Sequence, residues 1–495
     1  MNPLLTQSAT RLAGLIRTRE VSSVEVVRTH IERIKAVNPV INAVVKDRFN
    51  AAIKEAQAVD ERLMAGCNKE PPPLLGVPCT IKECFALTGM PQTGGVVARK
   101  NHIADHDATA VARLKAAGAI PLGVTNVSEI CMWMETNNLV YGRTKNPYNP
   151  SRIVGGSSGG EGAIIAAGGS PFGLGSDIGG SIRMPAFFNG IFGHKPTGGT
   201  VPGSGQFPPD EFPKQYNPVM RILSTGPLAR RAEDLMPLLK ILAGPDQIDL
   251  ACEASQLGAP DGVEISALKV ISIPQNGAQG VASDLMRAQD RCVDFLKEAG
   301  AATLTTTIPA LRRSLDIWSA MLEVANAEGT KHQGAKNQGT NYKSFLGHQN
   351  NITLFYELAK WFFGMARHTF PAIALGLCED LPKKFTKRTQ KFAEMGQALR
   401  LELLSLMGDN GVILYPSYPS PAPRHNKPFF PPFNWVYTAI FNVMQFPVTQ
   451  VPLGLNKDGL PLGVQIVGAP HKDHVTMAVA MALEKIFGGW VPPTI

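Results

Sequence analysis

Two glycine-flanked serine clusters share one stretch of the chain, Gly155-Gly156-Ser157-Ser158-Gly159-Gly160 and Asp177-Ile178-Gly179-Gly180-Ser181-Ile182-Arg183. Ser157 and Ser181 stand 24 residues apart. Glycine lets backbone N–H groups turn toward one point and lets a ligand approach the chain closely. A serine beside such N–H groups has the parts of a nucleophile next to an oxyanion hole. The residues between the clusters, from Glu161 to Ile165, are small and apolar and suit a helix buried beneath a site. Two tight turns of an ordinary α/β protein would look similar. The pairing of two such turns with a lysine upstream points instead to a hydrolase.

A serine hydroxyl needs a base. Gly155-x-Ser157-x-Gly159 satisfies the GxSxG pattern of an α/β-hydrolase elbow, which would require a downstream histidine such as His425 or His471. Neither has a distinctive setting. No GxxxxGK[ST] phosphate loop is present. The other candidate base is Lys82, at the end of the apolar run Leu74-Leu75-Gly76-Val77-Pro78-Cys79-Thr80-Ile81. An amine held in a dry apolar pocket sheds its proton more readily than one in water, which is what makes a lysine usable as a base.

These residues need elements to hold them. The run before Lys82 reads as a buried strand, and the C-terminal ends of strands are where α/β sheets build sites. Residues 8–37 read as two helices, with Ser22 and Glu25 as a capping box and Pro39 as the stop. Residues 42–45 form a short strand and 50–64 a further helix. Asp107 caps a helix through Ala116, and a strand follows over 120–124. Gly193 to Gly198 reads as a turn-rich exit, and 203–220 as loop. A helix is expected over 231–242, a strand over 268–273, an amphipathic helix over 283–299 and a strand over 302–307. Strands return at 412–415, 448–453 and 462–467, before a last helix over 474–486. The alternation gives an α/β fold. It stops between about 313 and 405, a mostly helical insert rich in aromatic residues. There, one helical face carries Leu354, Leu358, Trp361, Phe362 and Met365, widened by Phe355 and Phe363. This face suits an acyl channel or a membrane surface. Strands from both ends of the chain are needed for one sheet, and no linker divides it.

The 495 residues, 44% of them hydrophobic, suffice for a large core. The net charge of +8 is spread too thinly to suggest nucleic acid. Seven cysteines without a CxxC pair suggest a reducing, intracellular setting and neither a disulfide frame nor a zinc site. The ten histidines show no HExxH spacing. No run reaches the roughly 18 apolar residues of a membrane span, so the chain is expected to be soluble or peripherally attached.

The phrases around these residues resemble the amidase signature family over nearly the whole chain. They are Gly76-Val-Pro-Cys-Thr-Ile-Lys82-Glu, Gly155-Gly-Ser-Ser-Gly-Gly-Glu161, Gly175-Ser-Asp-Ile-Gly-Gly-Ser-Ile-Arg183, Gly193-His-Lys-Pro-Thr197 and Asp458-Gly-Leu-Pro-Leu-Gly-Val-Gln465. Lys82-Glu-Cys-Phe85, Met184-Pro-Ala-Phe-Phe-Asn-Gly190 and Phe487-Gly-Gly-Trp490 look like the fatty-acid amide hydrolases within it. The resemblance implies a single domain over 1–495 with its catalytic core near 70–200, and a central mixed β-sheet covered by helices on both faces. It implies Ser181 as nucleophile, Ser157 as a bridging serine after a cis peptide bond, and Lys82 as base. The N–H groups of Ile178, Gly179, Gly180 and Ser181 would form the oxyanion hole. Asp177 and Arg183 would hold the loop, with Ser158 supporting Lys82 or Ser157. Trp133, Phe187, Phe188, Trp361 and Phe362 would line a substrate channel. No cofactor or metal is implied. The expected partner is a small lipid amide, not nucleic acid, with peripheral contact to a membrane or lipid-droplet surface and a homodimer. Relatives of this type begin with a hydrophobic membrane segment, which the sequence does not contain. The competing readings are a hydrolase of short amides, one chain of a transamidating complex, and a silent scaffold.

Overall fold

Eleven strands join one sheet in the computed structural model, which describes residues 1–66, 70–209, 216–333, 342–347, 351–379 and 386–495. The strands are β1 (Val44–Asp47), β2 (Pro78–Lys82), β3 (Ile120–Thr125), β4 (Phe172–Asp177), β5 (Phe192–Lys195), β6 (Ser224–Ala229), β7 (Lys269–Ser272), β8 (Ala302–Thr305), β9 (Gly411–Tyr415), β10 (Val448–Leu455) and β11 (Pro461–Gly468). Their order across the sheet is β1-β3-β2-β4-β6-β5-β10-β11-β9-β7-β8. Pairing is mixed. β2 runs parallel to both β3 and β4, whereas β4–β6, β6–β5, β5–β10, β10–β11 and β11–β9 are antiparallel. The C-terminal β10 and β11 therefore sit at the middle of the sheet, between early and late strands.

β2 through β6 are buried along their whole length. That is why they read as continuous apolar or small-residue runs and not as alternating ones. The helix Gly159–Ala166 is likewise buried at every position. Larger amphipathic helices, Ser23–Ile41 and Ser283–Glu298 among them, turn one apolar face to the core. Ser22 caps the first of these through the Glu25 N–H.

Several elements depart from expectation. Pro39 does not stop its helix, which runs on to Ile41 and ends where Asn42 takes a left-handed conformation, φ 49°. Asp107 does not cap the helix Thr109–Ala116. Its carboxylate is taken by the Thr88 N–H and hydroxyl and by Lys115. The expected exit turn over 193–198 begins as β5, because β6 and β10 flank it and take up its backbone bonds. β6 and the buried helix Val436–Val443 carried no clear periodic signal, since both are buried on every side. The 313–405 stretch is helical where described, with helices Ser314–Gln333, Tyr342–Phe345, Asn351–Phe362, Phe370–Cys378 and Thr386–Met407. Part of the expected loop at 203–220 lies outside the described residues.

Candidate active site

Lys82 is the last residue of β2 and is fully buried. Its Nζ donates to Ser157 Oγ at 2.7 Å and to Ser176 Oγ at 2.9 Å. Ser157 enters the helix Gly159–Ala166 after a cis Gly156–Ser157 peptide. A Cβ on Gly156 would lie 2.3 Å from the Trp133 carbonyl, so this turn admits only glycine. Ser181 follows β4 and precedes the helix Arg183–Phe188. The Ser158 N–H donates to the Ser181 carbonyl at 3.2 Å, which holds the two serine turns against each other.

Asp177 and Arg183 are both fully buried and form a two-point ion pair, Nη2 to Oδ1 and Nε to Oδ2, each at 3.0 Å. Burial works to raise the Asp177 carboxyl, but the Arg183 charge and its hydrogen bonds overcome this and hold it well below the usual carboxylate range. The same carboxylate accepts the Gly180 N–H at 2.7 Å. Gly180 is thereby removed from the expected set of oxyanion donors. Among the described residues, the N–H groups of Ile178, Gly179 and Ser181 have no partner within the fold. Gly180 has φ 118°, and a Cβ there would fall 2.0 Å from Thr438 Oγ1, so the turn requires glycine twice over. Thr438 in turn donates to the Gly179 carbonyl.

Ser158 does not support Lys82 or Ser157. Its hydroxyl faces the Ser176 carbonyl at 3.4 Å. Ser176 takes that place instead, and β4 alternation could have found it, since Ser176 immediately precedes Asp177 and points to the Lys82 side. His425 pairs with Glu135 and the Pro150 carbonyl, and the His471 backbone is tied to Thr197. Neither imidazole joins the serines, which removes the GxSxG–histidine alternative.

Two cavities meet at Ser181. One, of about 160 Å³, is lined by apolar side chains: Met132, Trp133, Met134, Met184, Trp318, Leu375 and Trp435. The other, about 200 Å³, is more polar and includes Ser157, Ser176, Gln206, Asn217 and Glu379. Trp133 is at the apolar cavity. Phe187 and Phe188 are not. Both are buried in the core, where Phe188 packs edge-on to Tyr418. Trp361 and Phe362 do not line the cavity either, being 41% and 73% exposed. They end a chain of ring contacts that runs from Trp133 through Phe429 and Phe370 to Trp361. Trp318 and Trp435, which the sequence reading missed, form the opposite wall, 4.8 Å apart and nearly perpendicular. Their helices give no motif that marks them.

A lysine, two serine turns and unpaired N–H groups are here assembled around one cavity floor, and the chain can be compared with known proteins on that basis. The family model described as Amidase matches residues 25–477. Fatty-acid amide hydrolase 2 of Homo sapiens is 46% identical over 502 residues, covering 99% of this chain and 91% of the relative. Fatty-acid amide hydrolase 2-A of Danio rerio is 46% identical over 507 residues, with the same two coverages of 99% and 91%. Among solved structures, a fatty acid amide hydrolase superposes with a TM-score of 0.75 at 23% identity, covering 99% of this chain and 87% of that one, a likeness of fold. The chain belongs to the amidase family.

Proposed function

We propose that this amidase hydrolyses fatty-acid amides, with Ser181 as nucleophile, Ser157 as proton relay and Lys82 as base. The observation that carries this reading is the apolar cavity opening onto Ser181. Its walls offer an acyl chain tryptophan, methionine and leucine and almost no polar group. A short amide or a glutamine side chain would leave those walls unfilled.

Ser181 Oγ attacks the amide carbonyl while its proton passes through Ser157 to Lys82, whose Nζ lies 2.7 Å from Ser157 Oγ. The developing oxyanion falls to the N–H groups of Ile178, Gly179 and Ser181. The same relay returns the proton to the leaving nitrogen, which an amide needs more than an ester does. Water then hydrolyses the acyl-enzyme. The polar cavity beside Ser157 and Ser176 gives the amine and the water their place.

The exposed aromatic residues fit a lipid surface as the source of such substrates. Phe355, Tyr356, Phe362, Phe363 and Met365 are each at least 60% exposed, with Lys360 and Arg367 beside them. The ring contacts from Trp361 to Trp133 link that surface to the cavity mouth.

The test is kcat/KM across saturated primary amides from acetamide upward. Each buried methylene contributes about 0.8 kcal/mol, roughly a fourfold gain if it is fully used in the transition state. A steep rise followed by a plateau is expected. A flat or falling series would replace the reading with a short-amide hydrolase on the same site.

A further inference from the structure

Two buried carboxylates bracket the loop that walls the apolar cavity. Glu129 stands before it and Glu135 after it, and between them Cys131, Met132, Trp133 and Met134 line the cavity. Neither glutamate lines it. Each binds instead to an element outside the loop. Glu129 Oε1 lies 2.6 Å from His368 Nδ1, while Oε2 accepts the Thr369 N–H at 2.7 Å and the Thr369 hydroxyl at 2.8 Å. Thr369 directly precedes the helix Phe370–Cys378, which contributes Leu375 to the same cavity. Glu135 Oε1 lies 2.7 Å from His425 Nδ1, and Oε2 accepts the Asn426 N–H at 3.0 Å. Arg143 Nε stands 3.1 Å from Oε1 as a counter-charge. Asn426 leads into the short turn Lys427–Phe429, and the Phe429 ring lies 5.3 Å from Trp133 and 5.5 Å from Phe370.

We propose that Glu129 and Glu135 are positioning residues for acyl-chain specificity. They fasten the helix Phe370–Cys378 and the turn Lys427–Phe429 to the cavity loop, and so set how long a chain the cavity grips. The inference rests on the function proposed above.

A carboxylate taken out of water is stable only with its partners in place. The partners of the Glu129 side chain, among the described residues, both belong to the helical insert. The insert cannot move off the loop without stranding that carboxylate. The same holds for Glu135 and the turn that follows Asn426. The two fastened elements meet through Phe370 and Phe429, and Phe429 meets Trp133, so they and the cavity wall form one packed unit. Slack at either carboxylate therefore reaches Trp133 and Leu375, the walls along an acyl chain. The Ser181 turn has separate supports, in Asp177 on the Gly180 N–H and Thr438 on the Gly179 carbonyl. Grip on the chain and attack on the carbonyl are thus held by different bonds.

The test is the series of kcat/KM on saturated primary amides, run on the parent, Glu129→Ala, Glu135→Ala and Glu129→Gln. Partial misfolding lowers kcat/KM by one factor at every chain length, so a purely structural role leaves a series parallel to the parent's. Lost positioning changes its slope. Losing the grip on one or two methylenes lowers kcat/KM roughly four- to sixteenfold on a long amide relative to acetamide. The two alanine variants should show a loss of that size. Glu129→Gln keeps an oxygen for Thr369 and offers an N–H that an imidazole nitrogen can accept, so it should recover most of the parent's slope. Parallel series for both alanine variants would overturn the inference, as would a Glu129→Gln series no better than that of Glu129→Ala. Should the alanine variants fail to fold, Thr369→Val decides, since it deletes only the hydroxyl bond to Glu129. A smaller change of slope in the same direction is expected from it, and an unchanged slope would overturn the inference. A series already flat in the parent would instead overturn the function proposed above, and this inference with it.

Discussion

Lys82 is buried with two serine hydroxyls as its neighbours, and its proposed task differs with the leaving group. An alkoxide leaves an ester with little help, but an amine must be protonated. Lys82→Ala is therefore expected to lower kcat/KM far more on an amide than on the matched ester, and equal losses would remove the acid role. Glu161 tests the floor beneath the site. Thr80 and Thr125 hydroxyls donate to its carboxyl, yet burial prevails and raises it to about 8. The unfolded carboxyl titrates near 4.3. Between the two values the folded state keeps a proton that the unfolded state has released, so this group's contribution to stability falls as pH rises. Gln cannot titrate. Glu161→Gln should gain stability relative to the parent between pH 6 and 8, by at most about 1.4 kcal/mol per pH unit, read from urea melts. A difference independent of pH would mean that the carboxylate is ionised in the fold.

At the scale of elements, the turn carrying Ser181 is held from three sides. β4 supplies its start, Thr438 from the helix Val436–Val443 binds the Gly179 carbonyl, and Trp318 from the helix Ser314–Gln333 donates to the Ile178 carbonyl at 3.1 Å. The last bond ties the helical insert to the Ile178–Gly179 peptide, whose own N–H is one of the proposed oxyanion donors. Trp318→Phe keeps a ring in the cavity wall and removes the donor. A hydrogen bond of this kind contributes about 0.5–1.5 kcal/mol, so kcat should fall roughly two- to tenfold with KM nearly unchanged. A change confined to KM would assign Trp318 to acyl packing alone.

For the molecule as a whole, the sheet buries the site while the insert carries the exposed aromatic face. Among the described residues no helix is long and apolar enough to cross a membrane. Contact with lipid would then come from side chains that dip into the interface, aided by cations near anionic headgroups. Phe362→Ser with Phe363→Ser should weaken co-sedimentation with phosphatidylcholine vesicles several-fold. Adding phosphatidylserine should strengthen the parent's binding. Undiminished sedimentation of the double variant would place the contact elsewhere.

The sequence by itself determined the serine turns, the lysine at the end of β2, the Asp177–Arg183 pairing and the α/β alternation. Each is local: glycine freedom, an apolar run, charges a few residues apart, or a period along the chain. Only the tertiary structure decided the rest. It withdrew Gly180 from the oxyanion donors, since Asp177 had two claims on its oxygens. It put Ser176 in the place expected for Ser158, because strand direction sets which hydroxyl faces Lys82. It buried Phe187 and Phe188 in the core and exposed Phe362, for an aromatic side chain reads alike in core, cavity or surface. It brought Trp318, Trp435 and Cys131 to the cavity from three distant segments. Such convergence is set by how helices cross the sheet, and no spacing along the chain encodes it.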